Sequence, residues 1–459
     1  MKHDKAISRR RFLGEASCAA VGSTALFSSL LQLRMTSTAA AAESGGDDYK
    51  ALVCLFLAGG NDSFNMLVPH NDDAYAEYKT TRDNIALEKG DLLPITTGGQ
   101  NYSEFGIHPS MPELQALYNA GDVSCISNVG TLVQPTTKQD YNNKIALPSG
   151  LFSHSDQQIH WQTSVPQVKG ASPGGWGGRT ADLLNSMNED SQVSMNISLS
   201  GVNIFQTGNE AFAYISGLNG GTEMVNYNQN YFQGAVDQLL GQEYQNLFTR
   251  TFAKNTRRFI DSSIIFNEAI EPIEILTPTP PTRLAERFKM VARSIAASQS
   301  LNHKRQTFFI RAGGWDHHSE VMDAQTVMLA EISQAVKYFN DAMEEIGMKD
   351  KVVLFTASDF GRTLTSNGVG SDHAWGGNHF VMGGPVTGGR IFGQYPSLQL
   401  NSSLLINRGR VIPTTSVDEY GSELARWFGV SSGEMETVFP NIKNFYDPAL
   451  ISHPLGFLA

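Results

Sequence analysis

The sequence predicts an α/β fold organised on a mostly parallel sheet with helices on both faces. Two observations predict it. Apolar runs rich in β-branched and aromatic residues at 51–58, 123–129, 195–199, 307–311, 352–357 and 379–382 read as strands, and helix-like segments separate them. Strands that alternate with helices run parallel, because each return to the sheet needs a crossover long enough for a helix. The second observation is the period of the separating segments. In 321–346, Leu329, Ile332, Val336, Phe339, Met343 and Ile346 recur at three- and four-residue steps, while Glu331, Lys337, Asp341 and Glu345 fall on the opposite face. Residues 283–298 and 111–120 follow the same rule, the latter entered through Ser110 as cap and Pro112 in the first turn. Residues 200–230, rich in Asn, Gly and Ser, read as an inserted loop or a small β excursion, and the Pro-rich 277–282 as a hinge or long connection.

Ahead of the first strand, Ser8-Arg9-Arg10-Arg11-Phe12-Leu13 precedes an uncharged stretch at 16–33 and the alanines 39–42. Basic, apolar and small-residue regions in that order make an export signal, and paired arginines with Phe-Leu have the twin-arginine form. Gly14, Gly22, Ser23 and Ser28 dilute the apolar stretch and Arg34 interrupts its end, so no permanent membrane span is expected. The expectation is a leader over 1–42, read by the twin-arginine translocase, and a single domain over 43–459 that is periplasmic or otherwise exported.

The chain has 34 basic and 45 acidic residues, a net charge of −11; removing 1–42 leaves 28 against 43, or −15. Such a surface repels nucleic acid phosphates and anionic lipid, so neither is expected as a general partner. A small anionic substrate then needs a local cationic device, and a metal ion is one. Cys54 and Cys125, the cysteines outside the leader, sit in strand-like runs and read as buried thiols, with a disulfide between neighbouring strands as the alternative.

In a parallel sheet the residues just after each strand emerge at one edge, where open α/β sheets place ligands. After 51–58 come Gly59 and Gly60, then Asp62 and Asn65, which present oxygens at the strand's mouth or close an Asx-type turn. Neither a phosphate-loop lysine nor a G-x-G-x-x-G spacing is present there, which leaves nucleotide binding without support. After 307–311, Gly313 and Gly314 lead into Trp315-Asp316-His317-His318. Oxygen and nitrogen donors on one turn suit zinc, manganese or iron, and because adjacent histidines point different ways, one of His317 and His318 accompanies Asp316. After 352–357 come Asp359 and Arg362, then Asp372, His373 and His379 in a glycine-thinned loop. These form a metal or acid/base cluster, unless Asp359 caps its turn, Arg362 pairs with a carboxylate and the histidines bond to backbone. Ser153 or Ser155, beside His154, reads as a helix cap or a nucleophile, and Arg179, behind Gly174 and Gly175, as an anion holder or a surface arginine.

Taken in order, the twin-arginine start, residues 56–65, Ser153-His154, Gly314-Trp315-Asp316-His317-His318, Ser358-Asp359-Phe360-Gly361-Arg362-Thr363, residues 371–376, 415–420 and 425–429 resemble the bacterial exported domain-of-unknown-function 1501 family, over about residues 50–458. The resemblance implies a branch of the alkaline phosphatase and sulfatase-like superfamily: a three-layer α/β/α sandwich with metal ligands at strand ends, used to hydrolyse phosphate or sulfate esters. Carried onto this chain, it implies Asp62, Asp316, His318 and Asp359 as ligands and His373 or His379 as the last histidine. Phe360 stands where the superfamily has a histidine, and Asp316 and His318 are closer than its usual spacing, which implies that one metal site is altered or lost. The full expectation is an exported hydrolase in which Asp62, Asp316, His318, Asp359, Asp372, His373 and His379 surround a divalent metal, zinc or manganese. Asn65 and Arg362 then hold substrate oxygens, and Ser153 or Ser63 offers a nucleophile. The alternative is a periplasmic binding or assembly protein that keeps the fold without the hydrolysis.

Overall fold

Residues 50–58 are apolar at nearly every position because they run through the middle of a sheet covered on both sides. Ala51, Val53, Leu55 and Leu57 enter one core, and Leu52, Cys54, Phe56 and Ala58 enter the other. Each fully buried Leu, Val or Phe in such a strand contributes about 1.5–3 kcal/mol over its exposed state. The computed structural model describes residues 49–169, 174–188 and 191–458, so the expected leader lies outside the described residues.

One sheet holds nine strands: β1 (Lys50–Ala58), β2 (Val123–Gly130), β3 (Asn196–Ser198), β4 (Tyr214–Ile215), β5 (Arg305–Gly313), β6 (Val352–Ser358), β7 (Gly377–Met382), β8 (Ile391–Phe392) and β9 (Thr415–Ser416). Their order is β8-β2-β7-β6-β1-β5-β3-β4, with β9 also paired to β2. Among these, only β7 runs against its neighbours; every other pairing is parallel. Each of the six expected strands lies in this sheet.

The main helices are α1 (Pro112–Ala120), α2 (His154–Thr163), α3 (Trp176–Leu184), α4 (Asn230–Leu240), α5 (Leu247–Ile270), α6 (Arg283–Ala296), α7 (Val321–Glu345) and α8 (Val417–Phe428). Buried faces of α1, α6 and α7 join the first core, and those of α3 and α8 join the second, which makes a three-layer α/β/α sandwich. The expected stripe of α7 is buried through Leu329, Ile332, Val336, Phe339 and Met343. One local expectation needs correction, and a second holds within its bounds. Met111, not Ser110, is the N-cap of α1, and it makes no side-chain cap bond. Residues 200–230 do contain the two-residue β4, but the helices α4 and α5 that follow were not anticipated.

Cys54 on β1 and Cys125 on β2 are free and buried, and β6 and β7 lie between their strands, so they are not neighbours. Burial pushes the Cys125 thiol up to about 12. Among the described residues, no helix is long and apolar enough to cross a membrane. Pairing register matters most for function. Ala58 is level with Gly313 and Leu57 with Ser358, so β1, β5 and β6 end together and release Asp62, Asp316 and Asp359 at one edge.

Candidate functional site

Two close backbone approaches draw the strand-end loops together. Gly59 has φ +123, and a Cβ there would stand 2.6 Å from the Asp316 nitrogen, so the turn after β1 lies directly on the Trp315–Asp316 backbone. After β6 the chain folds back on itself: Gly361 N donates to Trp375 O at 2.9 Å, Ala374 N to Gly361 O at 3.0 Å and Thr363 N to Asp372 O at 2.9 Å. That zipper sets Asp372 across from Thr363 and His373 across from Arg362, a few residues beyond Asp359. From the side comes α2, whose first residue is His154.

The meeting point is Asp316 Oδ1. His154 Nε2 lies 3.3 Å from it, His318 Nε2 3.1 Å, His373 Nε2 3.2 Å and Arg362 Nη1 2.8 Å. Each imidazole is gripped from behind: His154 Nδ1 by Asp359 Oδ2 at 2.7 Å, His318 Nδ1 by Asp372 Oδ1 at 2.9 Å and His373 Nδ1 by the Phe152 carbonyl at 2.8 Å. Carboxylates and carbonyls only accept, so each Nδ1 carries a proton and each Nε2 is the ring nitrogen turned inward. His318 and His373 bring those nitrogens within 2.9 Å of one another. Two lone pairs at that distance repel unless a proton or a metal ion relieves them. His154, Asp316 and His373 also place one ligand atom each within 4.8 Å of one another, close enough to share an ion.

Asp359 anchors the rear of this arrangement. Its Oδ2 also accepts from Gln158 Nε2 at 2.9 Å, and its Oδ1 accepts from Gly59 N at 3.1 Å. His154 and Gln158 reach the same oxygen because residues four apart share a helix face. Burial works to raise the Asp316 carboxyl, but the Arg362 hydrogen bond and charge, helped by His154 and His318, hold it at about 2. Burial lowers His373, and the nearby His154 and Arg362 add to that, so its ring favours the neutral form. For Asp372, burial again pushes up, and hydrogen bonds from Asn367 and His318 with the charge of Arg408 outweigh it. Arg408 pairs with Asp372, and Arg410 donates to His373 O at 2.8 Å. The Phe360 ring packs 4.8 Å from both the His154 and His373 rings.

Of the residues nominated from the sequence, Asp316, His318 and His373 face one point, with Asp359 and Asp372 behind two of the imidazoles. Asp62 lies deeper. Its Oδ2 takes Arg82 Nη2 and Ser371 Oγ, each at 2.7 Å, while its buried Oδ1 has no partner. His379 is not brought to the cluster: its fully buried ring packs against Trp161 and Tyr420, and burial pushes it down to about 3. Asn65 is buried, accepting from Tyr78 Oη and Arg82 Nε and donating to Ile85 O, so it has no amide to offer a substrate. Arg362 is also fully buried and braces Asp316, Gly59 O and Ser371 O. Ser153 caps α2 by accepting from Asp156 N, and the Ser63 hydroxyl is buried against Asn378 N. Arg179 is buried and donates to the carbonyls of Thr163, Gly174 and Val438. His317 is buried and does not make the ring contact to Asp316 Oδ1 that His318 makes.

The residue of the cluster that the sequence reading left out of the metal set is His154. Its sequence signal is slight, a histidine at a helix start with Gln158 one turn on, and nothing local names Asp359 as their common acceptor.

Several solved structures are similar to this chain at low identity. The lipoteichoic acid synthase LtaP from Listeria monocytogenes shares 10% identity over 87% of this chain and 78% of its own, with a TM-score of 0.33. The phosphonate monoester hydrolase SpPMH from Silicibacter pomeroyi shares 9% over 83% and 73%, with a TM-score of 0.31. The PsFucS1 sulfatase from Pseudoalteromonas sp. shares 10% over 87% and 75%, with a TM-score of 0.31. Superpositions this loose carry no argument for activity. No curated protein matches the chain significantly. The model of a family described as "Protein of unknown function (DUF1501)" matches residues 49–406, and the chain belongs to that family.

Proposed function

We propose that this chain is an exported metal-dependent hydrolase of phosphate or sulfate esters, with the ion held by His154, His318, His373 and Asp316. The observation that carries the reading is the convergence of three inward Nε2 atoms on Asp316 Oδ1, each Nδ1 being held from behind. Histidine ligands need such outer acceptors to fix ring and tautomer. Three nitrogens and a carboxylate oxygen fit zinc in tetrahedral form, or manganese or iron with added water. A divalent ion bound there would polarise the ester and ease deprotonation of a water.

The chain's own side chains do the rest. Asp359 and Gln158 aim His154, Phe152 O aims His373 and Asp372 aims His318. Arg362 fixes Asp316. The half-exposed Arg408 and partly buried Arg410 stand beside the cluster and draw in the non-bridging oxygens of an anionic ester, against the chain's negative balance. No Ser, Thr or Cys among the described residues hydrogen-bonds to His154, His318 or His373, which favours water over a side chain as nucleophile. Its oxygen bonds to phosphorus or sulfur as the alcohol oxygen departs and takes up a proton. Phe360 fills the flank beside Gly60, where a Cβ would stand 2.6 Å from its ring, and this favours one ion over two.

The test is metal analysis of the purified protein together with turnover of aryl phosphate and aryl sulfate, repeated on Asp316→Ala. Bound metal and turnover that both fall in the variant are expected; a protein without either overturns the reading. A second reading, a binding or assembly protein that keeps the fold, is favoured by Phe360 and by the lack of a side-chain nucleophile. A zinc- or manganese-dependent rise in unfolding temperature, reversed by EDTA and without turnover of either ester, selects it. Export is part of the same proposal and rests on residues 8–13 and 39–42. Secretion of a reporter fused to residues 1–42 should stop when Arg9→Lys and Arg10→Lys are combined.

A further inference from the structure

The helices α4 and α5 have no part in the centre described above, and their surface differs from the rest of the chain. Tyr231 is 93% exposed, Phe248 84% and Phe252 72%, with Phe232, Leu239, Leu247 and Phe259 exposed beside them. Phe248, Phe252 and Phe259 are spaced to share one face of α5. Over residues 247–258 only Ala253 is buried; the anchors Ile260, Phe266, Ala269 and Ile270 all lie further along the helix. An apolar surface of this kind on a water-soluble body marks an interaction site.

The same stretch, 247–258, carries Arg250, Lys254, Arg257 and Arg258 and no acidic residue, in a chain of net charge −11. Arg257 is paired with Asp237 and Asp261 at 2.6 Å each. Arg250, Lys254 and Arg258 form no ion pair among the described residues, and with Leu240 and the paired Arg257 and Asp261 they line a recess of about 560 Å³ whose side chains carry a net positive charge. The helix α5 therefore carries exposed aromatic rings on one side and unpaired cations on the other.

One occupant satisfies both features. Aromatic and basic residues on an amphipathic helix suit the boundary between anionic headgroups and acyl chains, where rings enter the apolar layer and cations meet phosphate. A second copy fits worse, because a symmetric contact through the aromatic face would leave the cations of the other side without a counter-charge. The overall negative charge does not prevent approach: at physiological salt the Debye length is about 8 Å, so distant carboxylates are screened and the local cations govern. We propose that α4 and α5 form a peripheral docking element for membranes that carry anionic lipid, with lipid phosphates in the recess and Phe248 and Phe252 at the acyl boundary. The inference is independent of the hydrolase reading.

Co-sedimentation of the purified protein with vesicles tests it, using phosphatidylcholine alone and phosphatidylcholine mixed with phosphatidylglycerol. Binding to the mixed vesicles that weakens as salt rises, and little binding to phosphatidylcholine alone, is expected. The triple variant Arg250→Glu, Lys254→Glu, Arg258→Glu and the double variant Phe248→Ser, Phe252→Ser should each bind at least tenfold more weakly with unchanged thermal unfolding. Phe248→Cys labelled with an environment-sensitive dye should shift to the blue on the mixed vesicles, a readout that needs no loss of binding. Absence of binding to the mixed vesicles at low salt, or undiminished binding by both variants, overturns the proposal. So does a concentration-dependent dimer in sedimentation equilibrium that the double Phe variant dissolves, since the face would then belong to a second copy.

Discussion

Replacing Asp359 by Asn probes the centre without touching any of the four inward-facing donors. The carboxylate is fully buried and accepts three hydrogen bonds, from His154 Nδ1 at 2.7 Å and Gln158 Nε2 at 2.9 Å on Oδ2 and from Gly59 N at 3.1 Å on Oδ1. An amide can accept on one side only. With its oxygen toward Gly59, its NH2 opposes His154 and favours the tautomer protonated on Nε2, which closes that nitrogen to an ion. With its oxygen toward His154, its NH2 opposes the Gly59 N–H and leaves a buried donor unpaired. Either way the ligand is aimed or charged less well, and loss of such an outer partner lowers metal affinity about 10- to 100-fold, or about 1.4–2.7 kcal/mol. Competition titration of zinc against a chromophoric chelator at pH 7.5 measures it, with circular dichroism melting as a check on the fold. Asp372→Asn should lose less, because Asp372 is partly exposed and also bonded by Asn367 and Arg408. An Asp359→Asn protein that binds zinc as the parent does, while His154→Ala does not, would refute the carboxylate-to-imidazole reasoning.

Three further outcomes follow from the same geometry. Arg82→Met strands the Asp62 carboxylate, since both side chains are fully buried and meet at 2.7 Å; urea unfolding should show a loss of about 3–5 kcal/mol, and a loss below about 1 would remove the pair from the account of stability. Gly59→Ala places a Cβ at 2.6 Å from Asp316 N at a φ of +123. Strain and overpacking together should cost about 3 kcal/mol, and zinc affinity should fall with stability because Asp316 has to move. Asp418 is pushed up to about 7 by burial, against a Ser164 hydrogen bond that favours its charged form. Its folded pKa lies above the unfolded value of about 3.9, so its contribution is complete below that value and declines as pH rises toward 7. Asp418→Asn should therefore raise the unfolding temperature relative to the parent at pH 8 and not at pH 4; parallel pH profiles would contradict this.

Much of the architecture was legible because strand and helix periods are local properties. The apolar run of β1 and the stripe of α7 are written in adjacent residues, and the six strand-like runs all entered the sheet. Resemblance over the strand-end motifs also pointed to the family. The helices α4 and α5 were passed over because the exposed Phe248, Phe252 and Leu239 blur the apolar face that marks a packed helix. His379 was nominated from its nearness to His373, but β7 takes it into the core, where its ring meets Thr356 Oγ1, Trp161 and Tyr420 and is closed off from solvent. Asp62 was correctly located at a strand end, yet Arg82, twenty residues on, claims its carboxylate.

The sequence by itself determined which donors exist and that several of them follow strands and so emerge at one edge, because alternation of strands with helices implies parallel strands and the chain leaves parallel strands at the same edge. Only the tertiary structure decided which donors face inward. That choice depends on the shared register of three strands, on the fold-back of 359–363 against 371–376, and on the approach of α2, which sets His154 against an aspartate some two hundred residues away. Contacts that distant are settled by packing of the whole sheet, and no short stretch of sequence encodes them.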